Sequence, residues 1–156
     1  MMLGLSLANF TLLHTAISLI GIATGLVVLY GLLANGRLHS WNTAFLVSTV
    51  LTSVTGFMFP FTQWLPSHTF GVVSLLALGF AIAALYRHRL AGKWRVIYLS
   101  GVLLALYLNC FVLVVQTFLK VPGVKTLAPT QTEPPFLTAQ FLLLVLFIVF
   151  GVIAGM

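Results

Sequence analysis

One apolar run constrains the fold of this sequence more than any other feature. Residues 94–120, WRVIYLSGVLLALYLNCFVLVVQTFLK, are long enough to cross a bilayer as an α-helix. At helical spacing, one stripe of this helix carries small or polar side chains, namely Tyr98, Gly101, Ala105, Asn109 and Gln116. Because an amide that faces lipid finds no hydrogen-bond partner, the stripe must face other helices or a cavity. We therefore expect this helix to lie at the centre of a helical bundle.

The composition indicates that the solvent around this bundle is lipid. Of the 156 residues, 61% are hydrophobic and 5% are charged, whereas roughly 25% are charged in an ordinary soluble domain. Apolar segments of about 20 residues each match a hydrocarbon core of about 30 Å. Five such segments lie near residues 10–34, 42–61, 69–87, 94–119 and 135–155. The sequence therefore predicts an all-α integral membrane bundle of five transmembrane helices, with residues 1–156 forming a single transmembrane domain.

The basic residues predict the orientation of the bundle. One side holds the first and third connections, with Arg37, Arg87, Arg89, Lys93 and Arg95, and the opposite side holds Lys120 and Lys125. Because basic connections stay in the cytoplasm, we expect the N-terminus outside and the C-terminus in the cytoplasm. The net charge of +6 does not indicate nucleic-acid binding, since the charges sit in short connections and form no basic face. The partner that this pattern predicts is the lipid bilayer.

Several catalytic chemistries are excluded by residues that the sequence lacks. The chain has no aspartate and a single acidic residue, Glu133, which excludes a Ser-His-Asp triad and a paired-carboxylate hydrolase. Cys110 is alone within an apolar run, so neither a disulfide nor a thiolate metal cluster can form within the chain. We therefore assign no catalytic residue.

Polar residues from different segments are expected to meet near the outer surface. Under the predicted orientation, His14, Gln116 and Gln140 each lie about one helical turn from an outer helix end. His68 and Glu133 lie just above them, and Asn109 lies about 10 Å deeper than Gln116. The outcome is a predicted polar pocket that opens outward, with aromatic neighbours Phe59, Phe61, Trp64 and Tyr107.

Three ligand chemistries fit this pocket. His14 and His68 can ligate a b-type haem through both axial positions, with Lys120 or Lys125 meeting the propionates. His14, His68 and Glu133 can bind zinc or copper, because imidazole and carboxylate are ligands for both. A quinone can accept hydrogen bonds from His14, Gln116 and Asn109, with Gln140 as a further cofactor-binding residue. The alternative to all three is that these groups bond one another and hold the bundle together.

Two glycine pairs predict close helix packing. Gly21 and Gly25 form one small-xxx-small pair, and Gly151 and Gly155 form another. We expect these faces to dock onto a second copy of the chain or onto a larger complex. The favoured function is accordingly a non-catalytic subunit or accessory protein of a membrane assembly. The alternative function is a haem or quinone binder that serves electron transfer.

The stretches TSVTGFMFPF and ALYLNCFVLVVQTFLKVPGVKTLAPTQTEPPF carry a resemblance to known sequences. They resemble a group of small uncharacterised multi-span membrane proteins of proteobacteria. This resemblance implies a location in a bacterial inner (cytoplasmic) membrane and implies no particular activity. A looser likeness to b561-type cytochromes rests on the number of helices and on His14 near an outer end, although those bundles use additional histidines deep in their helices.

Overall fold

The computed structural model describes residues 4–34, 36, 39–60, 63 and 66–155. These residues form helices joined by turns and contain no β-strand. The helices are α1 Leu7–Leu33, α2 His39–Gly56, α3 Pro66–Ile82, α4 Lys93–Lys120, α5 Pro122–Lys125 and α6 Pro134–Gly155. A π-helical turn, Ala83–Arg87, extends α3 toward α4. The predicted all-α class is confirmed.

Four helices are long and apolar enough to cross a membrane. They are Leu7–Leu33, Ser67–Arg87, Lys93–Lys120 and Pro134–Gly155, which match four of the five predicted segments. The remaining predicted segment, 42–61, corresponds to α2, and α2 does not belong to this set because its polar residues, which include His39 and Asn42, lower its hydropathy. The end of that segment differs as well, since α2 ends at Gly56 and Phe61 lies outside the described residues.

Helix α4 lies at the centre of the bundle, as the sequence predicts. It contacts all four of the other long helices, α1, α2, α3 and α6. Tyr98, Gly101 and Ala105 of the predicted stripe are buried, and Asn109 and Gln116 are half-buried. The stripe therefore faces the neighbouring helices.

Small residues bring α3 and α4 into their closest contact. A Cβ atom placed on Gly101 would lie 2.7 Å from the carbonyl oxygen of Ala77 and 3.0 Å from the Cβ atom of Ala81. Carbon atoms in contact normally lie about 3.5–4.0 Å apart, so only glycine allows this approach. The position of α3 on α4 therefore depends on a glycine at residue 101.

The two glycine pairs also pack within the chain, and their docking onto another protein stays a prediction. A Cβ atom on Gly25 would lie 2.5 Å from Leu106 of α4 and 2.8 Å from the ring of Phe45 of α2. Positions 151 and 155 face Leu103 and Leu99 of α4, at 3.5 and 3.9 Å from an added Cβ atom. The glycines lie in these contacts because α1 and α6 both pack onto α4.

The apolar surface of the bundle points outward. Helix α6 is buried along a narrow stripe formed by Phe136, Gln140, Phe147 and Ala154. Its remaining face is exposed and is formed by large apolar side chains such as Phe141, Val145, Ile148 and Val152. Such a surface is favourable in a hydrocarbon solvent and costly in water, which agrees with a membrane protein.

The Gly101 contact leads to a stability prediction. Gly101→Ala is expected to lower the free energy of unfolding by about 1–3 kcal/mol, because the added methyl group overlaps the backbone of α3. Gly79→Ala is the matched control in α3, since nothing lies within 4 Å of its added Cβ atom. The control is expected to gain about 0.5–1 kcal/mol from helix propensity. Denaturant titration in micelles, followed by circular dichroism, measures both values, and an unchanged stability for Gly101→Ala would contradict the assigned contact.

Candidate functional site

His14 of α1 forms a hydrogen bond to α2 near one end of the bundle. Its Nδ1 atom lies 2.8 Å from Oγ1 of Thr55, which is buried in α2. The imidazole is half-buried and meets the ring of Phe59 edge-on, with the ring centroids 5.2 Å apart. Phe59 is thus one predicted aromatic neighbour that does contact His14, whereas Phe61 and Trp64 lie outside the described residues.

The partners of Thr55 determine which nitrogen of His14 carries the proton. The Thr55 hydroxyl has one hydrogen and lies 2.7 Å from the carbonyl oxygen of Leu51, which can only accept. The hydroxyl therefore donates to Leu51 and accepts a hydrogen bond from Nδ1–H of His14. In this tautomer Nε2 carries a lone pair, and the described part of the chain offers it no hydrogen-bond partner.

His68 lies at the start of α3 and contacts a different part of the chain. It is 4% exposed, and its ring stacks on Phe57 with centroids 5.8 Å apart. The edge of the Phe57 ring fits against Gly71, where an added Cβ atom would lie 2.9 Å from it. His14 and His68 thus pack against different aromatic residues, and α1 and α3 make no helix contact. The structure does not show the two imidazoles facing one another as haem ligands do.

Asn109 and Gln140 bind separate neighbours of α4. Asn109 donates from Nδ2 to Oγ1 of Thr49 at 3.5 Å, which joins α4 to α2. Gln140 is buried in α6 and donates from Nε2 to the carbonyl oxygen of Phe111 at 3.2 Å, while its Oε1 atom has no partner among the described residues. Gln116 is half-buried and makes no side-chain hydrogen bond within the described part of the chain. No described contact joins His14, Gln116 and Gln140 in the predicted pocket.

Glu133 directly precedes α6, and its side chain folds back on the connection before it. Its carboxylate accepts hydrogen bonds from the backbone N–H of Thr130 at 3.1 Å, the hydroxyl of Thr130 at 2.9 Å and the backbone N–H of Thr132 at 3.1 Å. Desolvation alone would raise the pKa of Glu133, but the hydrogen bonds from Thr130 and Thr132 outweigh it and hold this pKa below its ordinary value. Both carboxylate oxygens are therefore used within the turn.

The predicted metal ligands are not grouped in the structure. Among the described residues, which include His14, His68 and Glu133, no three His, Cys, Asp or Glu side chains lie together as a metal site requires. Each of these three groups packs against a different neighbour, His14 against Thr55, His68 against Phe57 and Glu133 against Thr130.

A buried contact between two serines joins α2 to α3. Ser53 of α2 and Ser74 of α3 are both buried, and their hydroxyl oxygens lie 3.2 Å apart. Serine in an apolar segment is common because its hydroxyl can bond its own helix, so neither residue stands out in the sequence. Their pairing is decided by the way α2 packs on α3.

The polar side chains of the bundle therefore act mainly as links between helices. His14 links α1 to α2, Ser53 links α2 to α3, Asn109 links α2 to α4, and Gln140 links α4 to α6. Nε2 of His14 is left without a hydrogen-bond partner among the described residues, and it can accept a hydrogen bond or bind a metal centre.

Comparisons of the chain with protein families, with functionally characterised proteins and with solved structures found no match.

Proposed function

We propose that this protein is a five-span protein of a bacterial inner membrane and acts as a non-catalytic subunit or accessory protein of a membrane assembly. The proposal rests on the hydrogen bonds that the buried and half-buried polar groups make between helices. Four long-range contacts, centred on His14, Ser53, Asn109 and Gln140, hold helices together. Such contacts contribute about 0.6 kcal/mol each on average, and they support a structural role for the polar residues.

Helix α2 is proposed as the fifth span because its polar residues face inward. Ser48, Thr49, Ser53 and Thr55 are buried, whereas Val47, Leu51 and Val54 are exposed. The pairs His14–Thr55 and Gly25–Phe45 show that α2 runs antiparallel to α1 along most of its length. Its 18 residues extend over about 27 Å, which is close to the thickness of a hydrocarbon core. The hydroxyl groups also bond carbonyl oxygens of their own helix, so they need no water.

The orientation follows from the basic residues at the two ends of the bundle. Arg87, Arg89, Lys93 and Arg95 lie around the connection from α3 to α4, and Lys120 and Lys125 lie at the other end of α4. The larger basic group favours the cytoplasmic side for the α3–α4 connection. An odd number of spans then puts the N-terminus outside and the C-terminus in the cytoplasm.

Cysteine labelling tests this topology. In a Cys110→Ala background, single cysteines replace five exposed residues outside the cores of the spans, namely Asn9, Ala34, Gln63, Ala91 and Thr130. A membrane-impermeant maleimide added to spheroplasts is expected to label positions 9, 63 and 130, and to label positions 34 and 91 only after permeabilisation. Positions 34 and 63 flank α2, so labelling of both from the same side would exclude α2 as a span. A complete reversal of the pattern would contradict the orientation.

The broad outer face of α6 supports the proposed role as a subunit. This helix contacts α4 and, to a smaller extent, α1 and leaves most of its apolar surface uncovered. Only 17% of the apolar stretch of α6 is buried, whereas 33% is buried in α1 and 33% in α4. A neighbouring membrane protein can therefore bind α6 without displacing any helix of this chain.

The proposed assembly is tested by its mass in native membranes. Extraction with a polymer that retains surrounding lipid is expected to yield a particle whose protein mass exceeds the 17.0 kDa of one chain. Ile148→Trp with Val149→Trp, on the exposed face of α6, is expected to release the single chain because the added rings block close packing. Leu12→Trp with Leu19→Trp, on the exposed face of α1, is the matched control and is expected to leave the mass unchanged. A wild-type particle that holds one chain would refute the proposed subunit role.

A second candidate function, binding of a b-type haem or a quinone at His14, is favoured by one observation. The Thr55 contact holds His14 as the tautomer with a lone pair on Nε2, which is the form that binds haem iron or accepts a hydrogen bond from a quinol. The half-buried position of His14 at the end of a span suits a ligand that arrives from the membrane.

Visible absorption spectroscopy separates this second function from a purely structural role. Protein purified from haem-replete cells is expected to show a Soret band if His14 binds haem, and His14→Ala is expected to remove it. Thr55→Val keeps the shape of the side chain but releases the imidazole, so it is expected to shift the band without removing it. A colourless wild-type protein whose solvent extract contains no quinone by mass analysis would exclude both cofactors.

A further inference from the structure

The connection between α3 and α4 carries an unbalanced positive charge. Arg87, Arg89, Lys93 and Arg95, here called the basic turn, are all exposed. None of these four side chains makes a hydrogen bond or an ion pair to another described residue. The one acidic residue of the chain, Glu133, precedes α6 and lies toward the opposite end of α4. Because α4 is about 42 Å long and charges are screened over about 8 Å, the counter-charge for this turn must come from another molecule.

The basic turn has a defined shape. The rings of His88 and Trp94 stack across it, with centroids 3.5 Å apart and planes at 3°. The backbone N–H of Leu90 donates to the carbonyl oxygen of Ala84 at 3.0 Å. Arg89 and Leu90 adopt φ values of +50° and +59°, which are unfavourable for residues other than glycine. These contacts hold the backbone of the turn that carries the cationic side chains.

An apolar groove begins beside this turn. It lies between α1 and α2, has a volume of about 510 Å³, and is lined mainly by apolar side chains that include Ile17, Ile20, Val47 and Leu51. At one end the groove reaches Thr43, whose Oγ1 atom lies 3.2 Å from the phenolic oxygen of Tyr86. Tyr86 directly precedes Arg87 of the basic turn, so this hydrogen bond connects the groove to the cationic group.

We propose that the groove and the basic turn together bind one anionic phospholipid, with an acyl chain in the groove and the phosphate on the basic turn. A phospholipid fits because it is apolar along the groove and negative at the turn. A nucleic acid or an acidic peptide would satisfy the charges and leave the groove uncovered. The proposal goes beyond the role as a subunit and requires only that the chain lies in a membrane.

Lipid titration of the delipidated full-length protein in detergent, followed by native mass spectrometry, tests the site. Phosphatidylglycerol and phosphatidylcholine with the same oleoyl chains are compared, and the wild type is expected to bind phosphatidylglycerol at least tenfold more tightly. Arg87→Gln with Arg89→Gln is expected to remove most of this preference, since each basic residue near a lipid surface contributes a factor of about five. Lys120→Gln with Lys125→Gln removes the same charge at the other end and is expected to change the preference less than twofold.

The groove is tested by a second pair of measurements. Ala44→Phe places a ring in the groove and is expected to weaken the binding of both lipids by the same factor. The ratio of their two affinities therefore stays unchanged. With the wild type, phosphatidylglycerol with hexanoyl chains is expected to bind at least tenfold more weakly than the oleoyl form, and inorganic phosphate is expected not to compete. Equal loss of preference in the two charge variants, or equal binding of short and long chains, would overturn the proposal. Neither result would alter the labelling pattern or the particle mass that test the proposed function.

Discussion

Water is absent from the hydrocarbon core of a membrane, and the fold of this protein follows from that constraint. A hydroxyl, amide or imidazole group in a span must find its hydrogen-bond partner inside the chain. The structure supplies such partners at three junctions of the bundle, through Thr55 for His14, Thr49 for Asn109 and the carbonyl oxygen of Phe111 for Nε2 of Gln140. In helix α2, Ser48, Thr49, Ser53 and Thr55 are buried, whereas Val47, Leu51 and Val54 are exposed.

The same constraint explains why α4 is central and why the contacts between helices rely on small residues. Lipid is as apolar as leucine, so helices associate through close packing and hydrogen bonds. Gly101 lets the backbone of α3 approach α4, and Gly25 admits Leu106 and Phe45 between α1, α2 and α4. Helix α4 also carries the amide of Asn109, so both kinds of contact converge on it. Gly101 and Gly25 therefore serve the packing of helices within the chain.

Most of the secondary structure could be predicted from the sequence, because a long apolar run has few alternatives to a helix in lipid. The predicted segment 94–119 corresponds to the helix Lys93–Lys120, and the predicted segment 135–155 corresponds to the helix Pro134–Gly155. Side-chain partners could not be predicted in the same way. His14, Gln116 and Gln140 lie at similar distances from their helix ends, but depth along a helix does not define the direction in which a side chain points. The contact between Ser53 and Ser74 could not be predicted, because a serine that bonds its own helix and a serine that pairs across helices look alike in sequence.

The sequence by itself determined that the chain is helical and apolar, that its basic residues gather at one end, and that α4 carries a polar stripe. These properties depend on composition and on helical periodicity, which act locally. Only the tertiary structure decided that His14 bonds Thr55, that His68 packs against Phe57, and that the glycine pairs face α4. Those outcomes depend on how each helix is rotated about its axis, and that rotation is set by the packing of all the helices together.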